Sequence, residues 1–146
     1  MRKSMRARRK RGGAMMEMAL LMPWVFLLFI GALDWGFYAY SLISMQAAIR
    51  TAVLYTSTSD ATKADSSGAC TLVVAEMSNL PNVVSAGNDC SSNPVVTATA
   101  VSGPDSNPAS QVSVKYQSVS LIPIPGLLAK QFTITRTGKM RIRSTT

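Results

Sequence analysis

Arg11-Gly12-Gly13-Ala14-Met15-Met16-Glu17, running into Met18-Ala19-Leu20-Leu21-Met22-Pro23-Trp24-Val25-Phe26-Leu27-Leu28-Phe29-Ile30-Gly31-Ala32-Leu33, decides how this chain is built. A dense basic run stops at two glycines and a long apolar stretch begins at once. Glu17 is the only charged side chain between Met15 and Leu33. A carboxylate is costly to hold inside a bilayer, so its presence there calls for a partner. The two glycines offer a flexible, unhindered backbone that a peptidase can grip.

Working outward, Asp34 ends the apolar run and Trp35-Gly36-Phe37-Tyr38-Ala39-Tyr40 follows. Glu17 and Asp34 lie 17 positions apart, about 25 Å along a helix. That is close to the roughly 30 Å hydrocarbon thickness of a bilayer. The spacing predicts a transmembrane helix over about 15–38, in contact with membrane lipid, with a carboxylate near each face. Trp35, Tyr38 and Tyr40 form the outer aromatic belt. Asp34 has two readings: an interfacial carboxylate turned to water, or a contact with another membrane helix or a filament neighbour. Pro23 removes one backbone hydrogen bond and can kink or locally open the helix.

Charge is as unevenly spread as hydropathy. Of 15 basic residues in 146, seven stand among the first eleven: Arg2, Lys3, Arg6, Arg8, Arg9, Lys10 and Arg11. From Gly13 onward the chain is nearly neutral. A basic tail abutting an apolar span is explained by positive-inside orientation, with the N-terminus cytoplasmic and the C-terminal domain extracytoplasmic. No nucleic-acid partner is expected. A cleavable secretory signal ending near Ala39-Tyr40-Ser41 is the rival reading, but the apolar run is long for one and a polar cleavage region is missing.

The chain has no His. That removes the usual general base and the imidazole metal ligand, and no acid–base constellation replaces them. Catalytic residues, cofactor and metal are each expected to be none, and the protein is not expected to be an enzyme. Cys70 and Cys90 are the only two cysteines. An even count in an oxidising compartment reads as one disulfide. Such a bridge closes a loop of about 20 residues and contributes roughly 3 kcal/mol in the chain-entropy model. The alternative is two free buried thiols.

Beyond the belt, Leu42, Ile43, Ala47, Ile49, Val53 and Leu54 recur three or four apart, with Gln46 and Arg50 toward water. The expected helix therefore continues to residue 58, giving a basic leader over 1–12, one long helix over 13–58 and an exported α+β domain over 59–146. Ser57–Ala69 reads as linker, Ala69–Leu80 as a short amphipathic helix ended by Pro81, and Val83–Asn93 as turns. Val95–Val101, Val112–Tyr116 and Phe132–Arg136 are strand candidates. Ser102–Pro108 reads as a hairpin loop, and Thr137-Gly138-Lys139 as a turn before an extension at Met140–Arg143. Leu121-Ile122-Pro123-Ile124-Pro125-Gly126-Leu127-Leu128 reads as an apolar crossover that covers the sheet edge or touches a partner. The fold class expected is α+β: a long N-terminal helix packed on a small antiparallel sheet.

Lys10-Arg11-Gly12-Gly13-Ala14-Met15-Met16-Glu17-Met18-Ala19-Leu20-Leu21-Met22-Pro23, with Asp34-Trp35-Gly36 after the span, resembles the start of TadE-like proteins. These are minor pilin-like (pseudopilin) components of the Tad, or Flp, pilus system. The resemblance runs from about Arg8 to Tyr55. Met18 stands where Phe is frequent, and Asp34 where Glu is commoner. It implies a bacterial inner-membrane precursor cut by a prepilin peptidase between Gly12 and Gly13, so that Glu17 becomes the fifth mature residue. Cutting after Gly13 would leave Glu17 fourth. It also implies a role for Glu17 in assembly. The partners it implies are the prepilin peptidase, the Tad assembly platform, other minor pilins and the major pilin. Filament subunit, tip component and membrane-resident assembly factor all fit. The alternative is an uncleaved bitopic membrane protein with an extracytoplasmic adaptor or sensing domain.

Overall fold

The computed structural model describes residues 3–86, 89–119 and 131–143. In chain order the elements are α1 (Lys3–Thr56), α2 (Ser66–Met77), β1 (Val84–Ala86), β2 (Asp89–Asn93), β3 (Val95–Ser102), β4 (Pro108–Gln117) and β5 (Thr133–Arg141). They divide into two compact units, Met1–Tyr38 and Ala39–Thr146. The architecture is α+β, as expected.

The first unit is helix throughout its described length. Helix begins at Lys3 rather than near residue 13, because Lys, Arg, Met and Ala are all good helix formers and nothing before Gly12 interrupts them. Helix also continues through Pro23. From Met15 to Phe29 every side chain is exposed, Met15 at 78% and Phe29 at 60%. An apolar surface of that extent is not stable against water. The helix is long and apolar enough to cross a membrane, consistent with a single-pass anchor.

In the second unit, the remaining part of α1 buries Ser41, Met45, Ala48, Ile49, Ala52, Val53 and Thr56. The stripe is rotated from the one read in the sequence. Ile49 and Val53 face inward as expected, but Ile43 is 67% exposed and Ala47 and Leu54 also face out. Packing rather than hydropathy set the choice. Ala48 and Ala52 are small, and they share the inward face with Ile49 and Val53, which lie against a glycine in the sheet. A Cβ placed on Gly138 would stand 2.5 Å from Ile49 Cγ2 and 2.8 Å from Val53 Cγ2. Gly138 is therefore not in a turn. It sits within β5, opposite Val112, and β5 is one continuous strand through Met140.

The sheet is antiparallel with order β3-β4-β5. Val96, Ala98, Val112, Val114, Tyr116 and Ile134 form its buried face. Thr97, Ser113 and Thr137 align across the three strands on the other face. The loop between β3 and β4 closes through Gly103 N–H donating to Asn107 O at 2.7 Å, with Ser106 in the left-handed region at φ 61°. Within the stretch read as turns, Val84–Ala86 and Asp89–Asn93 form a second, two-stranded antiparallel sheet of β1 and β2. The apolar stretch 121–128 lies outside the described residues.

Helix α2 starts at Ser66, three residues earlier than expected. Asp65 caps it, accepting from Ser67 N–H at 3.1 Å and Gly68 N–H at 3.0 Å. Its buried face is Ala69, Cys70, Val73 and Met77. The Ser66 hydroxyl lies against β3, accepting from Ala98 N–H at 3.0 Å and lying 3.5 Å from Ala98 O. Among the described residues, no buried side-chain polar atom lacks a hydrogen-bond partner.

Candidate functional site

The residues singled out in the sequence fall into two groups. The first lies on α1 within Met1–Tyr38. Gly12 and Gly13 are helical, and a Cβ on Gly13 would meet nothing within 4 Å. The backbone of the junction is helical rather than irregular. Glycine costs about 1 kcal/mol per residue against alanine in a helix, so the pair weakens α1 locally. Glu17, one turn beyond Gly13, is exposed. Asp34 is half-buried. Neither forms an ion pair with a described residue. Seventeen positions at 3.6 residues per turn place the two carboxylates about 100° apart around the axis. They do not form one site. They mark two depths of one helix on different faces. Trp35 is 74% exposed and meets Tyr38 edge-to-face at 6.4 Å, as an amphipathic interfacial pair does.

The second group lies in Ala39–Thr146. Cys70 on α2 and Cys90 on β2 form a disulfide with Cα atoms 5.8 Å apart. The bridge ties the small β1-β2 sheet to the helix. Among the described residues, no three His, Cys, Asp or Glu side chains are grouped so as to hold a metal ion.

One constellation was missed in the sequence. The Tyr55 hydroxyl donates to Asp65 Oδ2 at 2.8 Å, joining the end of α1 to the cap of α2. Gly68 is required beneath it, since a Cβ there would stand 2.5 Å from Asp65 Oδ2 and 2.6 Å from the Tyr55 ring. The Gly68 N–H chiefly, then the Tyr55 hydroxyl and the Ser67 N–H, hold the Asp65 carboxyl below its usual range, against opposing desolvation. Asp65-Ser66-Ser67-Gly68 carries a helix-start signal, but the surrounding Ser and Thr made it read as linker. Thr62 adds to the same joint, its hydroxyl donating to Tyr55 O at 3.3 Å or Ser59 O at 3.1 Å. This is a structural joint between helices and has no group poised for catalysis.

These features define a class: one helix long and apolar enough to cross a membrane, with a lone carboxylate near the start of its apolar run, followed by a small disulfide-bonded α+β unit. Within that class, residues 12–54 match the family model of the TadE-like protein. Over that stretch the chain is similar to TadE-like proteins. The match includes Gly12, Gly13, Glu17 and Asp34 and stops at Leu54, before the disulfide-bonded region. No curated protein and no solved structure matches the chain.

Proposed function

We propose that this protein is a pseudopilin, or minor pilin, of the Tad pilus: an inner-membrane precursor whose leader 1–12 is removed by a prepilin peptidase. The observation that carries this reading is the family match beginning at Gly12, over a helix whose lone early carboxylate is exposed and unpaired among the described residues. Cleavage after Gly12 would make Gly13 the first mature residue and Glu17 the fifth. The new α-amino group has an ordinary pKa near 8, so it is largely protonated at neutral pH. In low dielectric its charge needs a partner, and Glu17 of the same or a neighbouring subunit supplies one. The cut also removes seven of the 15 basic residues, and with them the strongest tie to the cytoplasmic face.

In this reading the C-terminal domain is extracytoplasmic. The protein works by assembly and not by catalysis, its partners being the peptidase, the Tad assembly platform and other pilins. The complete absence of His supports a non-enzymatic role. Mass spectrometry of the protein from its native membrane or pili tests it. A mature start at Gly13 supports the proposal. A start at Met1 favours an uncleaved bitopic adaptor, and a start near Leu42 a secreted domain. Glu17→Ala is expected to keep membrane insertion and to lose pilus assembly; normal piliation would remove the proposed role of that carboxylate.

A further inference from the structure

The two edges of the three-stranded sheet are treated differently. On β3, the Ser66 hydroxyl occupies the outward N–H of Ala98 and approaches its carbonyl, with α2 alongside. On β5, the backbone from Thr133 to Arg141 has no outward hydrogen-bond partner among the described residues. An edge strand whose outward backbone groups have no partner among the described residues is a template for another strand.

What lies beside that edge is specific. A groove runs between it and α1, with Ile43, Ala47 and Ile49 as its apolar part and Arg50 and Arg136 also lining it. Both arginines are exposed, and neither pairs with a described carboxylate. Lys139 and Arg141 stand on the same strand. Cations on an edge strand commonly serve only to prevent edge-to-edge pairing. That accounts for Arg136, whose charge would meet its own copy in a β5–β5 pair and so argues against a second copy as the occupant; Lys139 instead donates to Ser102 O at 2.7 Å and Arg141 lies 3.7 Å from Asp105. Edge protection does not account for Arg50, which is on the helix and faces the same groove.

We propose that the β5 edge and the Arg50–Arg136 groove together form a docking site for an extended, acidic segment of a partner protein, added as a fourth strand. Main-chain hydrogen bonds to β5 supply affinity. Alternate side chains of the added strand enter the groove, where a carboxylate meets the two guanidinium groups and an aliphatic neighbour covers Ile43 and Ala47. The site lies outside the leader and is independent of whether that leader is cut.

The test uses the full chain in detergent micelles and a fluorescent probe peptide of repeating Glu-Thr-Val-Thr, which sets Glu and Val in turn along one face of an extended strand. A second peptide has the same sequence but is N-methylated on the backbone positions that would face β5. The expected result is binding of the first peptide, slowed amide exchange confined to Thr133–Arg141, and about tenfold or greater weakening for the methylated peptide and for the Arg136→Glu chain. The Arg50→Gln chain, altered on the helix and not on the strand, is expected to weaken binding by a smaller factor. Equal binding of both peptides would mean charge attraction without strand addition and overturns the proposal. So does no binding, and so does concentration-dependent protection of β5 without peptide, which would make a second copy the occupant.

Discussion

Between Met15 and Phe29, α1 exposes every side chain; between Ser41 and Thr56, the same helix hides a stripe of seven. The two stretches answer to different solvents. In the first, apolarity all round is enough, and the order of Leu, Phe, Met and Val is nearly free. In the second, shape decides. Ala48 and Ala52 are buried where larger residues would not fit, and Ile43 faces out although it is more apolar than either. Hydropathy alone describes a membrane helix well and a packed helix poorly.

Paired truncations give the sharpest test. Met45 is 0% exposed and Leu27 is 41% exposed. Met45→Ala is expected to lower the stability of the Ala39–Thr146 unit by about 2–5 kcal/mol. Leu27→Ala should leave that stability unchanged. Chemical denaturation in detergent, followed by a tyrosine signal, checks both, and equal effects would dissolve the distinction.

Next in size is the disulfide. Replacing Cys70 and Cys90 together by Ser is expected to cost roughly 3 kcal/mol in the same denaturation experiment. Extraction of the protein with the membrane fraction should not change. A smaller cost belongs to Gly138→Ala, whose Cβ would press on Ile49 and Val53. Overpacking of this kind costs about 1–3 kcal/mol. In an Ile49→Ala background, which lacks the Cγ2 that the added Cβ would meet, Gly138→Ala should cost less, and an equal cost there would mean the clash lies elsewhere.

The smallest effect is one of pH. The Asp65 carboxyl is held below its usual range, so the folded state favours its ionised form. That contribution is complete above the unfolded value of about 3.9 and is lost as pH falls through the lower folded value. Compared with Asp65→Asn, the parent chain should therefore lose stability only below about pH 4. Parallel pH profiles for the two chains would show the joint between α1 and α2 to be uncharged.

Much of this was legible in the sequence because its signals were local. The apolar run, the belt at Trp35 and Tyr38, the alternation at Val112–Tyr116 and the pairing of two cysteines each depend on neighbours or on simple counting. What escaped depends on contacts remote in sequence. Gly138 reads as a turn until Ile49 and Val53 are seen above it. Asp65 reads as linker until the Tyr55 hydroxyl reaches it from α1. The β1-β2 pair is short, with Asp, Ser and Asn in β2, and its Cys90 is fixed to α2 by the disulfide more than by strand propensity. At the candidate site, the order Gly12, Gly13, Glu17 was readable, but not that helix continues back through the glycines to Lys3.

The Ser66 hydroxyl makes the two edges of the sheet unequal. It has already taken the outward N–H of Ala98, so a strand arriving at β3 would forgo that ladder hydrogen bond. A strand arriving at β5 meets no such competitor among the described residues. A contact of this kind biases strand addition toward one edge of a sheet and so works against open-ended templating.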